Sequence, residues 1–354
     1  ESIRNLSIMG VQTVRIPIAD WMYKPYYPYI GCWDGALDEL NRGIRLCEKY
    51  GMKVLLDVHA MRYSQNGLDN SGDTSSYEWL STTEKKGFGL ISNYRHWDIR
   101  GGNWIGPYNT TSHSYGKINV SNIMESVEVI KEIVQTHKFD FNIIGIEPVN
   151  EPWWFIPLDI LKEFYWLSYN IIQREAPHWI TLMHDSFRLS PGAWAGNWMK
   201  GCSNWAMDTH IYQAWSEPGN IYTYIENTCA MAYNIILMES LGVPIIVGEW
   251  SLATDNCALW INGLNDNVPG YPKVKCDFVK CPIPDNYETD KRKDSWWKGE
   301  NTLDPQGNGG KSYIINGTCP RGRPFDNEDY DMNILAKAKL YVFDTLTHGQ
   351  FFWN

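Results

Sequence analysis

Asn150-Glu151-Pro152 closes an apolar run that starts at Ile143, and Glu249-Trp250 closes a second one, Pro244-Ile245-Ile246-Val247-Gly248. Both runs read as buried strands that each deliver one carboxylate at the C-terminal end. Two acids held on two parallel strand tops are what hydrolysis of a glycosidic bond requires, one as proton donor and base and one as nucleophile. A single Glu at a strand–loop junction is more often a surface residue, so the reading rests on the pair and its surroundings.

Those surroundings are polar in places where a strand should be apolar. Arg15 lies inside Val14-Arg15-Ile16-Pro17 and needs an anionic partner if buried, so it could hold a nucleophilic carboxylate ionised. His59 ends Leu55-Leu56-Asp57-Val58-His59, and His210 and Tyr212 end Asp208-Thr209-His210-Ile211-Tyr212. One such His is more often structural, but two at strand tops beside the acids favour a site. A metal held by Asp57, His59, Asp185 and His210 is disfavoured because no ligand motif of the His-Glu-x-x-His kind occurs. With no Gly-rich phosphate loop after a strand and no Gly-x-Ser-x-Gly elbow, no cofactor and no serine nucleophile are expected.

The elements that must position these residues alternate. Strand-like runs fall at 11–18, 53–59, 143–150, 180–184, 206–212, 244–250 and 350–353, and helical patterns at 1–9, 35–50, 122–137, 158–176, 221–241 and 333–347. Near-continuous apolar strands between amphipathic helices imply a parallel sheet covered by helices, with polar residues gathered at C-terminal strand ends. That is the pattern of a (β/α)8 barrel, an α/β fold, here as a single domain over 1–354. Only seven strands are counted, so a first strand and a closing helix are expected to be missing from this chain. Long irregular insertions are expected at about 60–121 and 253–328, as walls of a cleft.

With 354 residues, 44% of them hydrophobic, the chain can bury a large core, and its mean hydropathy of −0.39 suits a soluble protein. No run approaches the roughly 20 apolar residues of a membrane span. A net charge of −10 argues against a nucleic-acid partner. The outlier is aromatic content, 18 Trp and 21 Tyr; much of it must be core. Trp21, Trp153, Trp154, Trp215, Trp250 and Trp353, near strand ends, are candidates to stack on sugar rings. Eight Cys are too dispersed for a zinc finger. Their even count and sequons at Asn5, Asn109, Asn119 and Asn316 favour a secreted, extracellular or cell-wall glycoprotein. Starting at Glu1 without a signal peptide, the chain reads as mature or a fragment.

The sequence resembles glycoside hydrolase family 5, which lies within the larger clan of (β/α)8 retaining glycosidases, and within that family the fungal exo-β-1,3-glucanase branch. The resemblance is carried by Val14-Arg15-Ile16-Pro17-Ile18, Asn150-Glu151-Pro152, His210-Ile211-Tyr212, Gly248-Glu249-Trp250-Ser251 and Phe351-Phe352-Trp353. Ser64-Gln65-Asn66-Gly67-Leu68-Asp69-Asn70-Ser71-Gly72 is the more selective segment, and Cys257-Ala258-Leu259-Trp260-Ile261-Asn262-Gly263 carries the resemblance as well. It implies Glu151 as acid/base and Glu249 as nucleophile, with Arg15, His59, Asn150, His210 and Tyr212 around the sugar and Trp353 as its floor. Asn70 and Asn262 would contact the terminal glucose, and Cys257 would form a disulfide, with Cys319 as candidate partner. The aromatic clamp usual in the family departs here: one position is Leu68, and Trp215 is left to supply the other.

Retaining hydrolysis of β-glucan from its non-reducing ends is therefore expected, with a raised pKa on Glu151. The alternatives are an endo-β-1,4-glucanase or mannanase of the same family, and a non-catalytic glycan-binding glycoprotein on such a scaffold.

Overall fold

The computed structural model describes residues 2–27, 29–30, 35–68, 70–72, 102–109, 112, 114–214, 220–254 and 328–353. After helix α1 (Ser2–Ile8), strand and helix alternate: β1 (Thr13–Ala19), α2 (Ala36–Lys49), β2 (Lys53–Ala60). A short hairpin follows, β3 (Tyr108–Asn109) with β4 (Ser114–Tyr115), then α3 (Val120–His137), β5 (Ile143–Glu147), α4 (Leu158–Glu175) and β6 (Ile180–His184). The rest is α5 (Pro191–Trp194), β7 (Trp205–Ile211), α6 (Ile221–Ser240), β8 (Ile245–Trp250), α7 (Glu328–Leu346) and β9 (Gln350–Phe352).

Seven strands pair in the order β1-β2-β5-β6-β7-β8-β9, every neighbour parallel. They form a nearly closed barrel of the (β/α)8 type, and all seven expected strands are found. Among the described residues β1 and β9 are the sheet's two edges. The His59 ring at the top of β2, the strand beside one edge, stacks on Trp353 just after β9, centroids 5.6 Å apart. The expected insertions at 60–121 and 253–328 fall largely outside the described residues. None of the described helices is long and apolar enough to cross a membrane.

The helices form because their apolar residues recur on one face. Ile123, Val127, Ile130 and Val134 of α3 are all buried, spaced at one helical turn, and Asn119 Oδ1 caps the first turn by accepting the Asn122 N–H. That face packs on the outside of the sheet, in one large core with Val54, Leu56, Val58 and Ile146.

The inside of the barrel is built in layers, because alternate strand residues face inward. Its floor is apolar: Leu55, Leu182 and Ala206, with Ile246 and Phe351 against them. Two residues further along β2 and β7, the inward positions become Asp57 and Asp208; two further still, His59 and His210. Apolar packing below thus leaves a charged layer and then an imidazole layer at the open end.

Candidate active site

Glu151 and Glu249 reach the same place by different backbone devices. Glu151 adopts φ +44°, a left-handed conformation that costs energy in any residue with a Cβ. It is tied there by the segment after β2: Asn66 Nδ2 donates to the Glu151 carbonyl (3.0 Å), and Gln65 Nε2 to the carbonyls of Asn150 (2.8 Å) and His59 (2.9 Å). Glu249 is aimed by a break in register between β7 and β8, where Thr209 pairs with Val247 but His210 pairs with Glu249. The residue skipped is Gly248, whose N–H donates to Asp208 Oδ1 at 2.6 Å. A Cβ on Gly248 would overlap both Asp208 oxygens, so only glycine fits.

One imidazole nitrogen joins the two acids. His210 Nδ1 lies 2.8 Å from Glu151 Oε1 and 3.5 Å from Glu249 Oε2. These oxygens are therefore no further apart than the two distances together, about 6.3 Å. That is below the roughly 6.5–9.5 Å of inverting carboxylate pairs and suits the closer spacing of retaining ones.

Arg15 anchors Glu249. Its Nη1 donates to Glu249 Oε1 (2.6 Å), and its Nη2 to Glu147 Oε2 (2.7 Å) and Asn150 Oδ1 (2.8 Å). Asp57 Oδ2 is 3.2 Å away. Tyr212 donates its hydroxyl to Glu249 Oε2 at 2.8 Å. His59 is held by Asp57 (2.6 Å) and faces Asn150. Asn70 Nδ2 is 3.4 Å from Glu151 Oε2. Of the residues expected at the site, Arg15, His59, Asn70, Asn150, Glu151, His210, Tyr212, Glu249 and Trp353 are thus brought together. Trp215, Asn262, Cys257, Cys319 and Asn316 lie outside the described residues.

The charge distribution corrects one expectation. Burial favours a neutral Glu151, but the hydrogen bond and charge of His210 outweigh it and pull the pKa down to about 2. Burial likewise opposes a charged His210, yet Glu249 and Asp208 outweigh it and hold the ring well above its usual range. Both shifts favour the proton of this pair on His210 and a carboxylate at Glu151. The anticipated apolar setting around Glu151 is absent because an imidazolium, not a hydrocarbon, is its nearest neighbour. Burial, helped by the charges of Asp208 and Asp57, pushes Glu147 far up despite Arg15, while Asp57 keeps His59 above the ordinary histidine range against burial.

Three sets of donors lie close enough to hold a cation among the described residues: Glu151, His184 and His210; Asp57, His59 and Glu249; Glu147, Asp208 and His210. Each contains members already bonded to one another or to Arg15. Asp185 joins none of them; its oxygens take the Thr209 hydroxyl and the Phe187 N–H.

Some aromatic expectations change. Trp250 is only 3% exposed and packs on Phe343 and Phe352, so it belongs to the core. Trp21 stacks on Tyr29 (4.0 Å). Trp153 and Trp154 continue the loop that carries Glu151, with Trp154 49% exposed and 4.3 Å from Phe155. Asn5, Asn109 and Asn119 are exposed. Cys47, Cys202 and Cys229 carry free thiols.

Asp208, Glu147 and His184 were not singled out from sequence as site residues. A signal existed for the first: Asp208 stands two before His210, as Asp57 stands two before His59, and that spacing puts acid and imidazole on one face of a strand.

The family model for cellulase, glycosyl hydrolase family 5, matches residues 1–268. A glucan 1,3-beta-glucosidase of Blumeria graminis is 30% identical over 75% of this chain and 53% of its own length. One from Schwanniomyces occidentalis is 28% identical over 80% of this chain and 61% of its own. The chain thus spans little more than half the length of these curated relatives. The crystal structure of a rutinosidase from Aspergillus niger superposes with a TM-score of 0.50 at 18% identity, covering 73% of this chain and 66% of that one, a likeness of fold.

Proposed function

The chain belongs to glycosyl hydrolase family 5, and from that premise we propose that it is a retaining β-glucan hydrolase, acting as an exo-β-1,3-glucanase that releases glucose from non-reducing ends. The observation that carries the reading is the single His210 nitrogen between Glu151 and Glu249, which keeps an oxygen of each within about 6.3 Å of the other, closer than inverting pairs stand. The names of the relatives from Blumeria graminis and Schwanniomyces occidentalis support β-1,3-glucan as substrate.

Glu249, kept anionic by Arg15 and oriented by the Tyr212 hydroxyl, attacks the anomeric carbon. The leaving oxygen takes a proton from Glu151, which draws it from His210 Nδ1 as the sugar displaces water from the site. A covalent glucosyl–Glu249 ester results. Water then attacks the anomeric carbon, gives its proton to the Glu151–His210 pair, and breaks the bond from that carbon to the Glu249 oxygen, which releases glucose with its β configuration. His59 and Trp353 form a stacked aromatic floor beside Asn150. A secreted or cell-wall location fits a polysaccharide substrate and the exposed sequons.

Proton NMR of a fresh digest of laminarin tests this. The β-anomer of glucose should appear first, with no comparable release from β-1,4- or β-1,6-glucan. First appearance of the α-anomer would exclude the double displacement, and oligosaccharides in place of glucose would favour endo action.

A further inference from the structure

Below the two reacting glutamates lies a carboxylate that touches neither of them and is bonded toward both. Asp208, fully buried on β7, spends its two oxygens on different halves of the site. Oδ1 accepts the Gly248 N–H at 2.6 Å, and Oδ2 lies 3.2 Å from His210 Nε2. His210 Nδ1 in turn faces Glu151 Oε1 at 2.8 Å. The result is a line of carboxylate, imidazole and carboxylate, with the nucleophile's backbone turn tied to its lower end.

The consequence is one of donors and acceptors. A carboxylate can only accept, so facing Asp208 the Nε2 of His210 must carry hydrogen. Nδ1 is then the nitrogen whose proton can be given up. With it, His210 is an imidazolium donating to the Glu151 carboxylate; without it, Nδ1 accepts from a protonated Glu151. Both are states of one shared proton, and the step between them moves that proton from Nδ1 to Oε1 with no other change in bonding. The opposite tautomer, Nδ1–H with a bare Nε2, would fix Glu151 as an acceptor and leave it no proton to donate.

Resting on the retaining reading above, we propose that Asp208 is the positioning residue for both glutamates. Through Oδ2 it fixes the Nε2–H form of His210 and so the proton supply of Glu151; through Oδ1 it fixes the Gly248 bulge that aims Glu249.

The other groups facing His210 do not substitute for it. Glu249 approaches the same nitrogen as Glu151, at 3.5 Å. His184, from β6, packs its ring against His210 with centroids 4.4 Å apart; its Nδ1 accepts the Ser186 N–H and its Nε2 bonds to nothing among the described residues. Arg15, Glu147 and Asp185 supply more distant charge. Among the described residues only Asp208 bonds to Nε2.

Asp208→Asn gives a decisive test because an amide cannot do both jobs. With its oxygen kept on Gly248 N–H, its NH2 faces His210 and forces the wrong tautomer, while Glu249 stays aimed. The measurement is kcat/KM, which reports the first half of the reaction, on two β-glucosides. Laminaribiose has a leaving group that needs a proton; a dinitrophenyl glucoside does not. The variant should lose roughly 100-fold or more on laminaribiose and less than about 10-fold on the dinitrophenyl glucoside. The alkaline limb of its pH profile should move to lower pH, since an anion that favoured the shared proton is gone.

Equal losses on both substrates with an unmoved pH profile would overturn the proposal. If wild-type protein cleaves neither glucoside, the hydrolase reading fails and the inference about Asp208 is judged on its own by nitrogen NMR of histidine-labelled wild-type protein. His210 Nε2 should hold a slowly exchanging proton across neutral pH, and a bare Nε2 would refute the role. That readout serves equally if Asp208→Asn does not fold.

Discussion

Arg15 on the first strand of the barrel and Glu249 on β8 meet at 2.6 Å although 234 residues separate them. Only a sheet curled nearly into a cylinder brings those strands face to face, so this contact reports barrel curvature and charge pairing together. It also sets the environment of the proposed nucleophile, because a guanidinium that bonds Glu249 cannot turn away while Glu147 holds its other edge.

Arg15→Met should be the more damaging of two changes at this position. It strips the counter-charge from Glu249, Glu147 and Asp57, and breaking a buried pair in this way costs about 3–5 kcal/mol. Arg15→Lys keeps the charge but has one ammonium for partners that the guanidinium reaches through separate nitrogens. Urea unfolding should rank Lys between wild type and Met, while kcat/KM falls by roughly 100-fold or more in both. A fully active Lys variant would show that the two-armed grip is unnecessary.

Replacing Glu151 with Ala should remove about 10²–10⁴ of the rate on laminari-oligosaccharides through loss of proton transfer. Azide, which needs no general base, should restore turnover of a dinitrophenyl glucoside and yield β-glucosyl azide. An α-azide, or no rescue, would place the acid/base elsewhere.

Trp154 lies three residues past Glu151, half exposed against Phe155, a candidate to stack on the leaving group. Stacking there is worth about 0.5–1.5 kcal/mol, which converts to roughly a 2- to 10-fold rise in KM for longer oligosaccharides in Trp154→Ala. The KM for a small aryl glucoside should hardly move; equal effects on both substrates would argue against a leaving-group contact.

Asp20, outside the reacting centre, links stability to pH. Burial raises its pKa from 3.8 to about 7, outweighing the hydrogen bonds from the Tyr26 hydroxyl and the Arg62 N–H. Its folded pKa is the higher one, so its stabilising contribution is complete below pH 3.8 and is lost as pH rises through about 7. Asp20→Asn removes this titration and keeps the shape. Relative to the variant, wild-type protein should lose melting temperature steadily from pH 4.5 to 7.5, and parallel curves would contradict the buried-charge origin.

The sequence made the strands legible because each of the seven is a short apolar run with a polar end, such as Ile143–Glu147 leading to Glu151. Arg15, His59, His210 and Tyr212 could be read for the same reason: each is a polar residue where a strand should bury hydrocarbon. Harder to see was what depends on register. Nothing in Val247-Gly248-Glu249 announces that Gly248 is skipped so that Glu249 turns inward. The hairpin of Tyr108–Asn109 with Ser114–Tyr115 is too short for a period to show. The pKa of Glu151 was misjudged because a strand-end position says nothing about which ring comes to rest beside it, and here it is His210 from another strand. Trp250 reads from the sequence as a candidate to stack on a sugar because it stands near a strand end, whereas strand alternation turns it toward Phe343.

The assignment of Glu249 as nucleophile is tested most directly by trapping the glucosyl intermediate with a dinitrophenyl fluoro-glucoside, whose fluorine slows breakdown of the ester, and mapping the adduct by peptide mass spectrometry. The expected result is one added fluoroglucosyl group, on Glu249, with dinitrophenolate released in equal amount. An adduct on Glu151 or on any other residue, or turnover of the reagent with no adduct formed, would contradict the assignment.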